Sequence, residues 1–142
     1  MSTNAIYIFG FFIIICGVNC AKVTVEQMKQ ATEPIRKVCI TKTKVGEDAL
    51  SDLRSGVVQD KKELKCYVNC VLEMIQIIKK GKLQYDAVMR SVDTMLPDEL
   101  KDDTRRAVNV CKDVSVGIKD FCESAATMLK CIFKENPNFF FP

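Results

Sequence analysis

Eight cysteines punctuate this chain of 142 residues, and their distribution limits its fold more than any other feature. Two of them, Cys16 and Cys20, lie in the first 20 residues, which carry no Lys, Arg, Asp or Glu and read IYIFGFFIIIC from Ile6 to Cys16. That apolar run is short for a membrane span, which needs about 20 residues, and suits the roughly 7 to 15 residues of a secretory h-region. Residues 1–20 are therefore read as a secretory signal peptide, cleaved after Cys20 to leave Ala21 as the mature N-terminus, or one or two residues to either side. The product, residues 21–142, is expected to be secreted and extracellular with six cysteines. An even number in an exported chain implies three disulfides that supplement a modest hydrophobic core.

The rest of the chain reads as helices. Thr24 followed by Gln27 matches a capping box, and Val25, Met28, Ala31, Ile35, Val38 and Cys39 recur at helical spacing. Pro34 inside that stripe predicts a kink or break near Glu33. Gly46 and Gly56 bracket a short helix, Glu47 to Arg54. From Lys61 to Lys80, Leu64, Tyr67, Val68, Val71, Leu72, Ile75 and Ile78 form one apolar face, which predicts a central helix stopped by Gly81. Tyr85, Val88, Met89, Val92, Met95 and Leu96 make the next stripe, ended by Pro97. Asp98 and Glu99 then open a helix carrying Leu100, Thr104, Ala107, Val108, Cys111 and Val114, with Gly117 at its end. A last helix carries Ile118, Phe121, Cys122, Ala125, Leu129 and Ile132 and stops before Asn136 and Pro137. No strand alternation is found.

Helical geometry narrows the disulfide pairing without fixing it. Cys66 and Cys70 project from one helix face in nearly the same direction, which does not suit the dihedral of about 90° that a disulfide needs. Cys122 and Cys131 are separated by about 13.5 Å of helical rise. Excluding those two pairs leaves ten of the fifteen connectivities open.

Composition removes several functions. With no histidine in the chain, Ser-His-Asp and Cys-His catalysis and histidine-containing zinc sites are excluded. Asp102 with Asp103 and Glu47 with Asp48 are adjacent carboxylates, but neighbours on a helix point about 100° apart, so each pair is a solvated face. The 21 Lys and Arg exceed the 18 Asp and Glu by only 3 and do not cluster, so no nucleic-acid binding is expected. No enzyme activity, catalytic residue, cofactor or metal site is expected.

The six mature cysteines are separated by 26, 3, 40, 10 and 8 residues. This spacing resembles the six-cysteine signature of the insect odorant-binding proteins, which include the pheromone-binding proteins. The likeness extends over the leader, the helical stripes, the Cys-Tyr-x-x-Cys run at Cys66–Cys70 and an aromatic tail ending in proline. It implies an all-α fold, a compact six-helix disulfide-bridged domain enclosing an apolar ligand cavity. It implies bridges joining Cys39 with Cys70, Cys66 with Cys122, and Cys111 with Cys131.

By position, the resemblance places Met74, Ile78, Met89, Val92, Leu96, Thr104, Ala107 and Val114 at the cavity, together with Ile118, Phe121, Leu129, Ile132 and Phe133. The alternative for each is plain core. The tail, residues 136–142, brings Phe139, Phe140 and Phe141 into the last four positions, where an unbound tail would be polar. It is expected to fold over the cavity; the alternative is a shallow surface groove away from the ligand, with a homodimer contact or a membrane touch as lesser uses of the same residues. The implied function is a secreted carrier that binds a small hydrophobic odorant or pheromone and delivers it to an odorant receptor. A saposin-like lipid-interacting protein and a receptor-binding helical signalling protein are the competing readings.

Overall fold

The structure is a computed structural model that describes residues 24–142; the signal-peptide reading lies outside the described residues. Six helices and one short hairpin are present among them: α1 (Val25–Thr43), α2 (Glu47–Arg54), α3 (Lys62–Met74), β1 (Ile78–Lys79), β2 (Lys82–Leu83), α4 (Tyr85–Met95), α5 (Asp98–Cys111) and α6 (Phe121–Glu135).

Helix α1 begins with a complete capping box. The Gln27 N–H donates to Thr24 Oγ1 at 3.2 Å, and the Thr24 N–H donates to Gln27 Oε1 at 2.9 Å, so two otherwise orphaned donors are satisfied. The helix runs through Pro34 without the expected break. Pro34 and Gln30 are both exposed, so the carbonyl that loses its donor faces water.

Helix α3 is the centre of the domain. Leu64, Tyr67, Val68 and Val71 are fully buried, and α6 packs along it with Ala125, Met128, Leu129 and Phe133. The sequence predicts that this helix continues to Lys80, but it stops at Met74. Gln76 turns left-handed at φ 59°, and the chain then pairs Ile78 with Leu83 and Lys79 with Lys82. The two loop residues, Lys80 and Gly81, have φ of 50° and 71°, both positive as a type I′ turn requires. Ile75, Ile77 and Ile78 satisfy helical spacing, yet as β-branched residues they fit a strand equally well. Their spacing alone could not separate the two.

The end of α5 also differs. It stops at Cys111, and three tight turns follow, in which the N–H groups of Val114, Val116 and Ile118 donate to the carbonyls of Cys111, Asp113 and Ser115. Val114 and Ile118 therefore belong to this loop rather than to helices. Helix α6 starts at Phe121 because Asp120 caps it, its carboxylate accepting the Glu123 N–H at 2.8 Å.

Three disulfides staple the helices. Cys39–Cys70 joins α1 to α3, Cys66–Cys122 joins α3 to α6, and Cys111–Cys131 joins α5 to α6. This is one of the ten pairings that helical geometry left open. Lys65 reinforces the second staple by bonding both Asp60 and Glu123. The buried residues separate into two clusters, one around α3 and α6 and another formed by Val88, Val92, Ala107, Val108, Cys111 and Ile132.

Candidate functional site

Between those two clusters lies a cavity of about 200 Å³. Its wall is shared by almost every element. The N-terminal half of α1 contributes Val25, Met28 and Thr32, and the end of α3 and the hairpin contribute Leu72, Ile75, Ile77 and Leu83. Val88, Ser91 and Val92 face it from α4, followed by Leu96. Leu100, Thr104, Val108 and Cys111 line it from α5, and Met128, Leu129, Ile132 and Asn136 from α6. None of the lining side chains is charged. Such a surface gains by covering apolar area and offers no opposite charge on a side chain to compensate a buried ion.

The tail forms the remaining wall, from Asn138 to Pro142. Its path is set at the end of α6, where the Asn138 N–H donates to Asn136 Oδ1 at 3.2 Å and the Phe139 N–H to the Asn136 carbonyl at 3.0 Å. This turn brings Phe139 edge-on to Phe133, with centroids 6.1 Å apart. Phe141 is 5% exposed and meets the Tyr67 ring edge-on at 6.4 Å. Tyr67 Oη donates to a main-chain oxygen of Pro142 at 2.8 Å, and the Lys29 ammonium lies 5.7 Å from the Phe140 ring centre. Burying one phenylalanine contributes roughly 1.5 to 3 kcal/mol, and each edge-to-face pair adds about 0.5 to 1.5 kcal/mol. Burial pushes the Tyr67 phenol up to about 12, which keeps it protonated as a donor at neutral pH.

Of the residues that the resemblance assigned to the cavity, Val92, Leu96, Thr104, Leu129, Ile132, Phe139, Phe140 and Phe141 stand in its wall. The others stand elsewhere. Met74 is 45% exposed, with its Sδ 3.6 Å from Cys39 Sγ. Val114 and Ile118 are in the α5–α6 loop, and Phe121 is exposed beside Gly81. Ile78 and Phe133 are core of the α3 cluster, whereas Ala107 and Met89 pack in the other.

Sequence reasoning missed the α1 contribution, although Val25 and Met28 lie on a stripe that it did read. A stripe shows that a face is covered, not whether a cavity lies behind it.

A protein-family model described as the PBP/GOBP family matches residues 21–135. General odorant-binding protein 72 of Anopheles gambiae is 40% identical over 120 residues, covering 84% of this chain and 99% of that protein. General odorant-binding protein 19a of Drosophila melanogaster is 42% identical over 125 residues, covering 86% of each. Among solved structures, odorant binding protein 4 of Chrysopa pallens superposes with a TM-score of 0.76 at 38% identity, covering 84% of this chain and 98% of that one. Odorant binding protein 5 of Apis mellifera gives 0.77 at 25% identity, covering 85% and 99%.

Proposed function

The chain belongs to the PBP/GOBP family, and from that membership we propose that it carries a small hydrophobic molecule in the cavity between its two core clusters, is secreted, and delivers its cargo to a receptor. The observation that carries this reading is the cavity wall, whose side chains are all uncharged and which is completed by an aromatic tail. Family membership displaces the saposin-like and signalling alternatives.

Uptake needs no reaction. Each Å² of apolar ligand surface removed from water contributes roughly 25 cal/mol before ordering costs, so a small ligand is held with a Kd on the order of micromolar. Secretion rests on the apolar leader and the three disulfides, which persist in oxidising compartments. No helix among the described residues is long and apolar enough to cross a membrane.

The test is a titration of the oxidised mature protein with a fluorescent phenylnaphthylamine probe, followed by displacement with alcohols, esters and ketones. Saturable one-site binding with displacement is expected. Probe fluorescence that rises without saturating would defeat the carrier reading.

A further inference from the structure

The cavity wall holds five side chains with polar groups of their own besides the disulfide, and they are not equivalent. Thr32 already donates to the Met28 and Lys29 carbonyls at 3.0 Å each. Ser91 and Asn138 are exposed and open to water. Thr104 and Asn136 differ, since each is 5% exposed and each has a polar group without a partner among the described residues.

Thr32, Thr41, Thr43 and Thr94 all donate back to the carbonyl four residues earlier in their helices. Thr104, inside α5, makes no such bond. Asn136 has its orientation fixed, because Oδ1 accepts the Asn138 N–H, which leaves the two donors of Nδ2 free. Neither donor is sealed from solvent, so in a residue this deeply placed each is met from outside the protein, by water or by a ligand.

The two residues stand at a similar level of the α5–α6 pair. The Cys111–Cys131 bridge and the Arg106 guanidinium, which donates to the Glu135 carbonyl at 3.5 Å, set α5 and α6 antiparallel. Thr104 lies about 10.5 Å before Cys111 along α5, and Asn136 about 7.5 Å beyond Cys131 along α6. Their levels therefore differ by less than one helical turn.

We propose that Thr104 and Asn136 form a polar subsite that receives the carbonyl oxygen of an uncharged ketone or ester whose apolar body fills the rest of the cavity. A carbonyl oxygen has two lone pairs and no proton, so it matches a hydroxyl donor and an amide donor together. A carboxylate fits worse, because no cation lines the wall and its charge would be stripped of water without compensation. This inference rests on the carrier reading and specifies the cargo that reading leaves open.

Three ligands of one chain length separate the possibilities: methyl octyl ketone, decane and, at about pH 8 where it is ionised, decanoate. Each is competed against the phenylnaphthylamine probe on the oxidised mature protein. The ketone is expected to bind roughly tenfold tighter than decane and tighter than decanoate. Thr104→Val keeps the side-chain shape and is expected to weaken the ketone roughly five- to tenfold while leaving decane unchanged; Thr104→Ser restores the ketone. Equal ketone affinity in Thr104→Val and the parent overturns the subsite alone, since decane binding still attests the cavity. Decanoate binding tighter than the ketone also overturns it. Failure of the probe and all three ligands to bind the parent protein overturns the carrier reading, and the subsite with it.

Discussion

Tyr67 and Pro142 are 75 residues apart in sequence and joined by a hydrogen bond of 2.8 Å, the phenol of the central helix donating to a main-chain oxygen of the tail. Tyr67 is fully buried, so its hydroxyl must be matched inside the protein. The tail supplies that match and is itself pinned by it, which couples the middle of the core to the outer wall of the cavity.

Tyr67→Phe should therefore loosen the tail without disturbing the core. Losing one hydrogen bond of about 1 kcal/mol predicts ligand dissociation faster by roughly fivefold in stopped-flow displacement, at unchanged far-UV circular dichroism. Deleting residues 138–142 removes the wall itself, and a larger increase is expected. A well-folded truncation with the parent dissociation rate would show that the tail does not retain the ligand.

Affinity is expected to stay nearly flat between about pH 5 and 7. The chain has no histidine. Asp48, hydrogen-bonded to Lys61, and Asp60, hydrogen-bonded to Lys65, have lowered pKa values. Their contribution is present above the ordinary carboxylate range and is lost only as pH falls through the lower folded values. Tyr67 is raised by burial to about 12, so its contribution is intact below about pH 10 and is lost as pH climbs toward that folded value. Both windows lie outside the neutral range. A tenfold weakening between pH 7 and 5.5 in probe titrations would point instead to a carboxylate outside the lining whose protonation alters the cavity.

The Cys111–Cys131 bridge forms part of the cavity wall, because Cys111 lines it. Replacing both cysteines with serine should cost roughly 2 to 4 kcal/mol, a fall in Tm on the order of 10 °C by calorimetry. Ligand affinity should fall with it. Removing Cys39–Cys70, which lies outside the lining, should lower Tm with a smaller effect on binding.

Gly81 and Gly117 make a controlled pair. Both have positive φ, 71° and 87°, so alanine is strained at either. A Cβ at Gly81 would also lie 2.8 Å from Phe121 Cδ1, whereas at Gly117 nothing lies within 4 Å. Gly117→Ala should cost about 1 kcal/mol in urea unfolding, and Gly81→Ala more, the excess measuring how freely the exposed Phe121 ring swings aside.

Several helix boundaries were legible from local signals. Thr24 with Gln27, Gly46, and Pro97 with Asp98 marked boundaries that the structure keeps within a residue or two. The end of α3 was not legible, because Gln76 turns left-handed without glycine or proline to announce it. The cavity was readable only in part for a different reason. Val92 and Met89 occupy one stripe on α4, yet only Val92 stands in the lining. That distinction depends on how α5 and α6 pack opposite, which is long-range information that no local period contains.

Every disulfide ends on α1, α3, α5 or α6, and none ends on α4. The container thus has a covalently braced side and a compliant side. Val88, Ser91 and Val92 sit on a panel held by packing, the Asp93–Arg105 ion pair and the Tyr85–Asn109 hydrogen bond but by no covalent staple, facing a frame whose staples cannot slide. Guests of different girth must be accommodated chiefly by yielding of that panel, so tolerance for ligand width is a mechanical property of the chamber, separate from the chemistry of its lining.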